Sequence, residues 1–346
     1  MKSQFLLILF FLIDMRVLCQ DSRIEPGFSK EEYAELLKIS TRQGDSLYND
    51  ELPTPLKFSR IYRSHILGLD NRWEMWTSAD SIAAISIRGT TIKLESWIEN
   101  FYAAMLPASG TIRLGDNQTY NYQLSKDKDA SVHAGWLIGT LCLYEDILPK
   151  IDSCKNKGIN DFSIIGHSQG GAIAYLLTSM LYHLKASDKK YNNLVIKTYA
   201  SAAPKPGNLR YAHEYEYLTQ KGWAFNVVNS ADWVPEGPFS IQTTNDYNTL
   251  NPFKYSNEAL NKTPFPKKFV LKYVYNQLDK STKKAQKRFN KILGEHMTSQ
   301  IRNYFPDFES PSFKESANYV RVGRTVVLFA DEKYYELFPN IEGEIL

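Results

Sequence analysis

Residues 162–171 read FSIIGHSQGG, a mostly apolar strand pattern that runs into a glycine-rich turn. A helical pattern begins directly behind the turn, at Ala172, and continues to Leu184. The pattern G-x-S-x-G between a strand and a helix is typical of a nucleophile elbow, a sharp turn that exposes a serine hydroxyl at the edge of a sheet. We therefore predict that Ser168 is a nucleophile. The alternative is an ordinary glycine-rich turn between a strand and a helix.

Short apolar segments alternate with helical patterns on both sides of this turn. The predicted strands are Ile82–Ile87, Phe162–Ile165, Leu194–Tyr199 and Ala224–Val228, and the predicted helices between them cover 133–148 and 170–185. Strands that are apolar throughout, separated by helices, indicate a mostly parallel central sheet flanked by helices, the α/β fold class. We also predict an entry helix within 28–48, an insertion at about 239–290 and a final strand or hairpin at 318–328.

The composition excludes several classes of protein. With 346 residues, 43% hydrophobic and 23% charged, the chain resembles a globular protein with one large core, which we place at 20–346. A formal net charge of +3 is too small to indicate a nucleic-acid partner. The spacing of His, Cys and acidic residues fits no metal site, and no glycine-rich phosphate loop occurs, so we expect no metal and no cofactor.

The first nineteen residues resemble a secretory signal peptide. Lys2 precedes an apolar run, Phe5 to Ile13, that is too short to span a bilayer. We predict cleavage before Gln20, export to the periplasm or the medium, and no transmembrane segment afterwards. A lipoprotein acylated at Cys19 is the alternative, although Leu18 stands where a small residue is expected. The remaining cysteines, Cys142 and Cys154, are interpreted as two buried thiols, with a disulfide as the alternative.

A serine nucleophile needs a base, and that base needs a carboxylate to orient it. When the catalytic residues follow one another along the chain in the order Ser, acid, His, the candidate for the acid is Asp232, which follows the predicted strand 224–228. A simple turn former is the other interpretation of Asp232. Only one histidine follows it, His296, which is therefore the candidate base by elimination.

Several short motifs together resemble the class 3 lipase family, also called the fungal-type lipases. They are Ile87-Arg88-Gly89-Thr90, Val132-His133-Ala134-Gly135-Trp136, the elbow itself, Tyr199 to Pro204 with Gly207-Asn208, and the Asp232-Trp233-Val234-Pro235 stretch. They span about 82–238. The resemblance implies an α/β-hydrolase fold, Ser168 as nucleophile, Asp232 as acid, and an oxyanion hole at Thr90 and Gln169.

The resemblance also bears on two regions outside the elbow. An apolar stripe (Leu94, Trp97, Ile98, Phe101, Tyr102 and Met105) follows Thr90, where members of the family carry an amphipathic lid; a helix packed on the core is the alternative. Many members place a strand like 320–323 before the catalytic histidine, whereas here that segment follows His296. Either His296 comes from a rearranged region, or the base belongs to a segment that this sequence lacks.

The expected function is that of a secreted serine carboxylic-ester hydrolase, a lipase that acts on acylglycerol esters through an acyl-enzyme on Ser168. The expected partner is an ester or lipid substrate at a lipid–water interface. A basic helical face at 280–291 is either a solvated surface or a contact for anionic lipid. The alternatives are a phospholipase or a feruloyl-type esterase of the same fold, or an inactive binding protein that retains the elbow.

Overall fold

The computed structural model describes residues 23–43, 52–115, 118–248 and 267–339. The predicted signal peptide, with Cys19, lies outside these residues. Within the described ranges, no helix is both long enough and apolar enough to cross a membrane.

The helices and strands follow one another in an alternating order over most of the chain. The strands are β1 Phe58–Arg63, β2 Trp73–Ser78, β3 Ile82–Ile87, β4 Met105–Pro107, β5 Ser109–Gly115, β6 Gln118–Gln123, β7 Ser131–His133, β8 Asp161–His167, β9 Val195–Ser201, β10 Gly207–Asn208, β11 Ala224–Asn229, β12 Tyr319–Val320 and β13 Arg324–Leu328. The α-helices are α1 Lys30–Thr41, α2 Leu94–Phe101, α3 Ala134–Asn156, α4 Gln169–Ser187, α5 Leu209–Leu218, α6 Lys267–Asn290, α7 Met297–Ile301 and α8 Glu332–Leu337. A π-helical segment, Lys291–His296, joins α6 to α7, and short 3₁₀ turns lie at Lys189–Tyr191, Val234–Glu236 and Thr244–Asp246.

Seven strands form the central sheet, in the order β1-β2-β3-β8-β9-β11-β13. The pairs β1/β2 and β2/β3 are antiparallel, and every pair from β3 to β13 is parallel. A mostly parallel sheet of this kind confirms the predicted α/β-hydrolase fold class. The four strands predicted from apolar runs all occur, with bounds within two residues of those expected. Two smaller sheets, β12-β10-β7-β4 and β5-β6, lie beside the central one.

Helices cover both faces of the central sheet. On one face α3 and α4 supply most of a large apolar core, which includes Leu137, Leu141, Ile173 and Leu177. On the other face α1 packs Tyr33, Leu36 and Ile39 against side chains of β2, β3, β8, β9 and β11. The Ser29 side chain accepts the backbone N–H of Glu32 at 3.1 Å and so caps the first turn of helix α1.

The final segment is not a hairpin. Its two strands enter different sheets: β12 pairs antiparallel with β10, and β13 pairs parallel with β11 at the edge of the central sheet. Gly323, at φ +79°, lies between the two strands and lets the chain change direction there. The hairpin alternative for 318–328 is therefore wrong, and the strand prediction holds.

Helix α3 carries both cysteines, and both are free and buried. The helix continues through Pro149. Twelve residues of helix at about 1.5 Å each hold the two thiols too far apart to bond. The interpretation as two buried thiols is confirmed, and the disulfide alternative is wrong.

The apolar stripe after Thr90 is divided between a helix and a strand. Helix α2 ends at Phe101, and Met105 begins β4 instead of continuing the helix. Ile98, Tyr102 and Met105 are buried, whereas Leu94 and Phe101 are 67% and 52% exposed. The stripe therefore has a buried side and an exposed side, and a single helical stripe from 94 to 105 is wrong.

Candidate active site

The turn that carries Ser168 has the backbone conformation of a nucleophile elbow. Ser168 lies between β8 and α4 at φ 55°, ψ −126°, a region that non-glycine residues rarely adopt. Its N–H donates to the Ser201 carbonyl at 2.9 Å. A Cβ atom added to Gly166 would lie 2.1 Å from the Gly170 carbonyl oxygen, and one added to Gly170 would lie 2.4 Å from the Ile87 carbonyl oxygen. Strand and helix therefore meet too closely for any side chain at these two positions.

Both predicted oxyanion donors are next to the elbow. Gln169 is the first residue of α4, so its backbone N–H has no partner within the helix. The loop that carries Thr90 lies directly against the elbow, since a Cβ on Gly89 would approach the His167 carbonyl oxygen to 2.7 Å. Asn100 donates from Nδ2 to Thr90 Oγ1 at 3.0 Å and accepts the Trp136 indole N–H at 2.9 Å. The Thr90 side chain is thus held in one orientation.

Asp232 lies at the same edge of the sheet as Ser168. It follows β11, which pairs with β9, and β9 pairs with the strand that ends at the elbow. The carboxylate is half-buried, and its Oδ1 accepts the Val234 N–H at 2.9 Å. This bond is that of a turn former, and the second carboxylate oxygen has no hydrogen bond within the described ranges, so the position is compatible with either interpretation of Asp232.

His167 is turned toward Ser201 and away from a contact with the nucleophile. Its Nδ1 lies 3.2 Å from Ser201 Oγ, which in turn lies 2.8 Å from the Tyr33 hydroxyl. Loss of water around the ring lowers the pKa of His167, and the Asp232 carboxylate opposes this shift. The imidazole is therefore engaged in a polar contact on the α1 side of the sheet.

His296 is not joined to the other predicted site residues. It ends the π-helical segment and is exposed. The segment is attached through the Leu293 carbonyl, which accepts the Ala104 N–H at 3.0 Å, and through Gly294, which packs against Ala104 and Phe313. Across the described ranges no hydrogen bond links His296 to Ser168 or Asp232. The structure brings Thr90, Ser168 and Gln169 together.

His133 contacts Trp136 and Asn100, and Asn100 bonds the Thr90 side chain. It is fully buried and stacks on Trp136 with 3.6 Å between ring centroids. Its Nδ1 accepts the backbone N–H of Trp136. Burial lowers the pKa of His133 to about 3, so the ring is neutral and its Nε2–H donates to the Asn100 carbonyl at 3.1 Å. This histidine orients Asn100, and through it Thr90.

One acidic residue beside the elbow was not predicted from the sequence. Glu99 is fully buried on α2, and its Oε2 accepts the Asn71 Nδ2–H at 2.6 Å. Burial raises the pKa of Glu99 to about 8, with a contribution in the same direction from Asp70, while hydrogen bonds from Asn71 and Gln169 oppose the shift. No local pattern in the sequence indicates this burial, because the groups around Glu99 come from distant parts of the chain.

Comparison with known proteins finds one match to a family model. Residues 84–242 match the family described as Lipase (class 3). In the part of the chain that the structure describes, no group of His, Cys, Asp and Glu could hold a metal ion. No curated protein sequence matches the chain.

Several solved fungal lipase structures are similar to this one. The Lip2 lipase from Yarrowia lipolytica is 23% identical over 60% of this chain and 74% of its own, with a TM-score of 0.44. The triacylglyceride lipase of Rhizomucor miehei is 20% identical over 62% of this chain and 77% of its own, with a TM-score of 0.45. Lipase II from Rhizopus niveus is 19% identical over 60% and 74%, with a TM-score of 0.41.

The raised pKa of Glu99 predicts how stability depends on pH. In the unfolded chain Glu99 ionises near the ordinary glutamate pKa of 4.5, whereas in the folded protein it ionises near 8. Folding must therefore keep a proton on Glu99 over this interval, and wild-type stability falls as pH rises from about 4.5 to about 8. Glu99→Gln removes this cost, so we expect the variant to gain on the order of a few kcal/mol over the wild type at pH 8.

Urea unfolding of both proteins at several pH values measures this gain. The gain should shrink toward zero as pH falls below about 4.5, where Glu99 becomes protonated in both states. Glu95→Gln, the same change at a partly exposed position of α2, is the control and should show no such trend. A constant difference between Glu99→Gln and the wild type at all pH values would contradict the assignment of a neutral buried acid.

Proposed function

We propose that this chain, whose residues 84–242 belong to the class 3 lipase family, is an exported lipase that hydrolyses acylglycerol esters through an acyl-enzyme on Ser168. The family makes the chain a carboxylic ester hydrolase of the α/β-hydrolase superfamily. We propose three further points that the family match does not give: the acylglycerol substrate, the serine mechanism and export. The observation that carries the proposal is the conformation of Ser168, held at φ 55° at the N-terminus of α4. Beside it lies the N–H of Gln169, which has no partner within the helix.

The proposed reaction is acyl transfer in two steps. The base removes the proton from Ser168 Oγ as this oxygen attacks the ester carbonyl carbon, and the negative charge that develops on the carbonyl oxygen is stabilised by Thr90 and the Gln169 N–H. The base then protonates the departing alcohol. Water attacks the acyl-enzyme in the same way and releases the acid and free Ser168. We assign the base to His296 and its orientation to Asp232.

Exposed apolar side chains near the site support a substrate at a lipid–water interface. They lie on α2 and on the loop before it, and the largest are Ile92, Leu94, Trp97 and Phe101. A patch of this kind beside a proposed oxyanion loop suits a surface that is itself apolar.

Helix α6 presents a second surface of suitable chemistry. Exposed apolar residues lie along its first half (Phe269, Val270, Tyr273, Val274 and Leu278), and exposed basic residues lie along its second half (Lys280, Lys284, Lys287 and Arg288) and at Lys291 just after it. The opposite side, at Gln286 and Phe289, is buried against the protein. Apolar and basic groups that face outward together favour an anionic lipid surface over plain solvent.

The charge on α6 makes the lipid surface testable. The variant Lys284→Glu/Lys287→Glu/Arg288→Glu should weaken binding to vesicles of anionic phospholipid on the order of a hundredfold, because each basic residue contributes attraction near such a surface. The control Lys126→Glu/Lys128→Glu/Lys157→Glu makes the same change in net charge at exposed lysines elsewhere. Equal loss in both variants would show that net charge, and not the α6 surface, governs binding.

Covalent labelling and a substrate series test the function itself. A fluorophosphonate should modify Ser168 in the wild type and leave Ser168→Ala unlabelled, because the reagent traps an activated serine. Turnover of esters should rise with acyl length and rise again once the substrate forms micelles. Activity confined to short soluble esters favours the feruloyl-type esterase, and preference for phospholipid favours the phospholipase. A folded wild-type protein that is not labelled at Ser168 and does not hydrolyse esters favours the inactive binding protein that retains the elbow.

The base has its own test. His296→Ala should reduce kcat by about 10³-fold or more on a soluble ester while leaving unfolding in urea unchanged, since the residue is exposed. His213→Ala is the control, because that histidine precedes Asp232 and lies on α5. A His296→Ala enzyme with wild-type kcat would assign the base elsewhere and would leave Ser168 as the nucleophile.

A further inference from the structure

We propose that Ser96 and Glu99 are positioning residues that hold Gln169 in place and so fix the spacing between the two oxyanion donors. This inference rests on the proposed function, because it concerns the same oxyanion hole. Neither residue touches the substrate in this role. Both act through Gln169 and through the loop that carries Thr90.

The Ser96 hydroxyl joins the two sides of the oxyanion hole. It donates to Gln169 Oε1 at 3.0 Å and accepts the backbone N–H of Thr91 at 3.2 Å. A hydroxyl can donate one hydrogen bond and accept another, so Ser96 can make both bonds at the same time. Ser96 and Gln169 are both almost fully buried, and water therefore cannot replace either bond. One side chain thus connects the residue after Thr90 to the residue after Ser168.

Glu99 lies beside the Gln169 side chain, which contributes to the pKa of the Glu99 carboxyl. The Asn71 side chain anchors this carboxyl by donating to Glu99 Oε2 at 2.6 Å. Room for the carboxyl exists because position 139 on α3 is glycine: a Cβ there would lie 2.3 Å from Glu99 Oε1. The side chain of Gln169 is therefore fixed at its oxygen by Ser96, and the anchored carboxyl of Glu99 limits the space beside it.

The protonation state of Glu99 matters for this role. The charged groups around it are Asp70, whose negative charge opposes ionisation, and the partners of Asp70, Arg88 and Lys93. The thiol of Cys142 faces the same carboxyl from α3, and burial raises its pKa, so it is neutral. As a neutral acid Glu99 fits this pocket. Ionised, it places a second negative charge next to Asp70 inside a buried pocket.

Kinetics on a short soluble ester from pH 6 to 10 test the proposal. Ser96→Ala and Glu99→Ala should lower kcat roughly tenfold to a hundredfold with little change in KM, because the transition state depends on donor placement more than the bound ester does. Glu99→Gln should restore kcat near pH 7. Wild-type kcat should also fall above about pH 8, and this fall should be absent or shifted upward in Glu99→Gln.

The controls separate this role from a purely structural one. Glu95→Gln should match the wild type in kcat and in pH profile. Unfolding in urea shows which variants remain folded at assay temperature, and Glu99→Gln carries the test if Glu99→Ala does not fold. A Ser96→Ala enzyme with wild-type kcat, or a Glu99→Gln profile identical to that of the wild type, overturns the inference. A wild type without turnover or Ser168 labelling overturns the proposed function, and the inference with it.

Discussion

The structure depends on the close approach of β8 and α4 at a turn with almost no free space. Gly166 and Gly170 lie within van der Waals contact of backbone atoms on both sides, and Ser168 between them takes a positive φ. That strain is held by the parallel strands on either side, which are among the most buried parts of the chain. The conformation of the elbow therefore depends on the neighbouring strands. If β8 shifted by one residue relative to them, this conformation would be lost.

Around this turn, buried polar groups are arranged at a cost to stability. His133 is kept neutral, and Glu99 is kept protonated in a pocket closed by α3. Each of these groups would be more favourably solvated in the unfolded chain, so the apolar core must offset their burial. They make bonds to Asn100 and Asn71 that a purely apolar interior could not make. The region beside Ser168 is thus stiff, and it gives up some stability for that stiffness.

The sequence predicted the central strands and the elbow because their signals are local. Buried parallel strands such as Ile82–Ile87 are apolar throughout, and the glycines around Ser168 are four residues apart in sequence. The network around Glu99 could not be predicted in the same way, because it joins Asn71, Glu99 and Gln169 across long stretches of chain. The two-residue strand β12 is too short to show any periodicity. The base was inferred by elimination, and the position of His296 adds no contact to that argument.

Helix α2 has a consequence for how a substrate could enter. Four of its residues hold it by hydrogen bonds: Ser96 bonds Gln169 and Thr91, Glu99 bonds Asn71, Asn100 bonds Thr90, Trp136 and His133, and the C-cap Tyr102 bonds Thr298. At about 1 kcal/mol for each net hydrogen bond, moving the helix outward as a rigid body would cost roughly 7 kcal/mol. An apolar surface would have to bury about 280 Å² of hydrocarbon to offset this cost, which is more than one large aromatic side chain supplies. Trp97 and Phe101 together could supply that area at an apolar surface, whereas in water no comparable gain would offset the lost bonds.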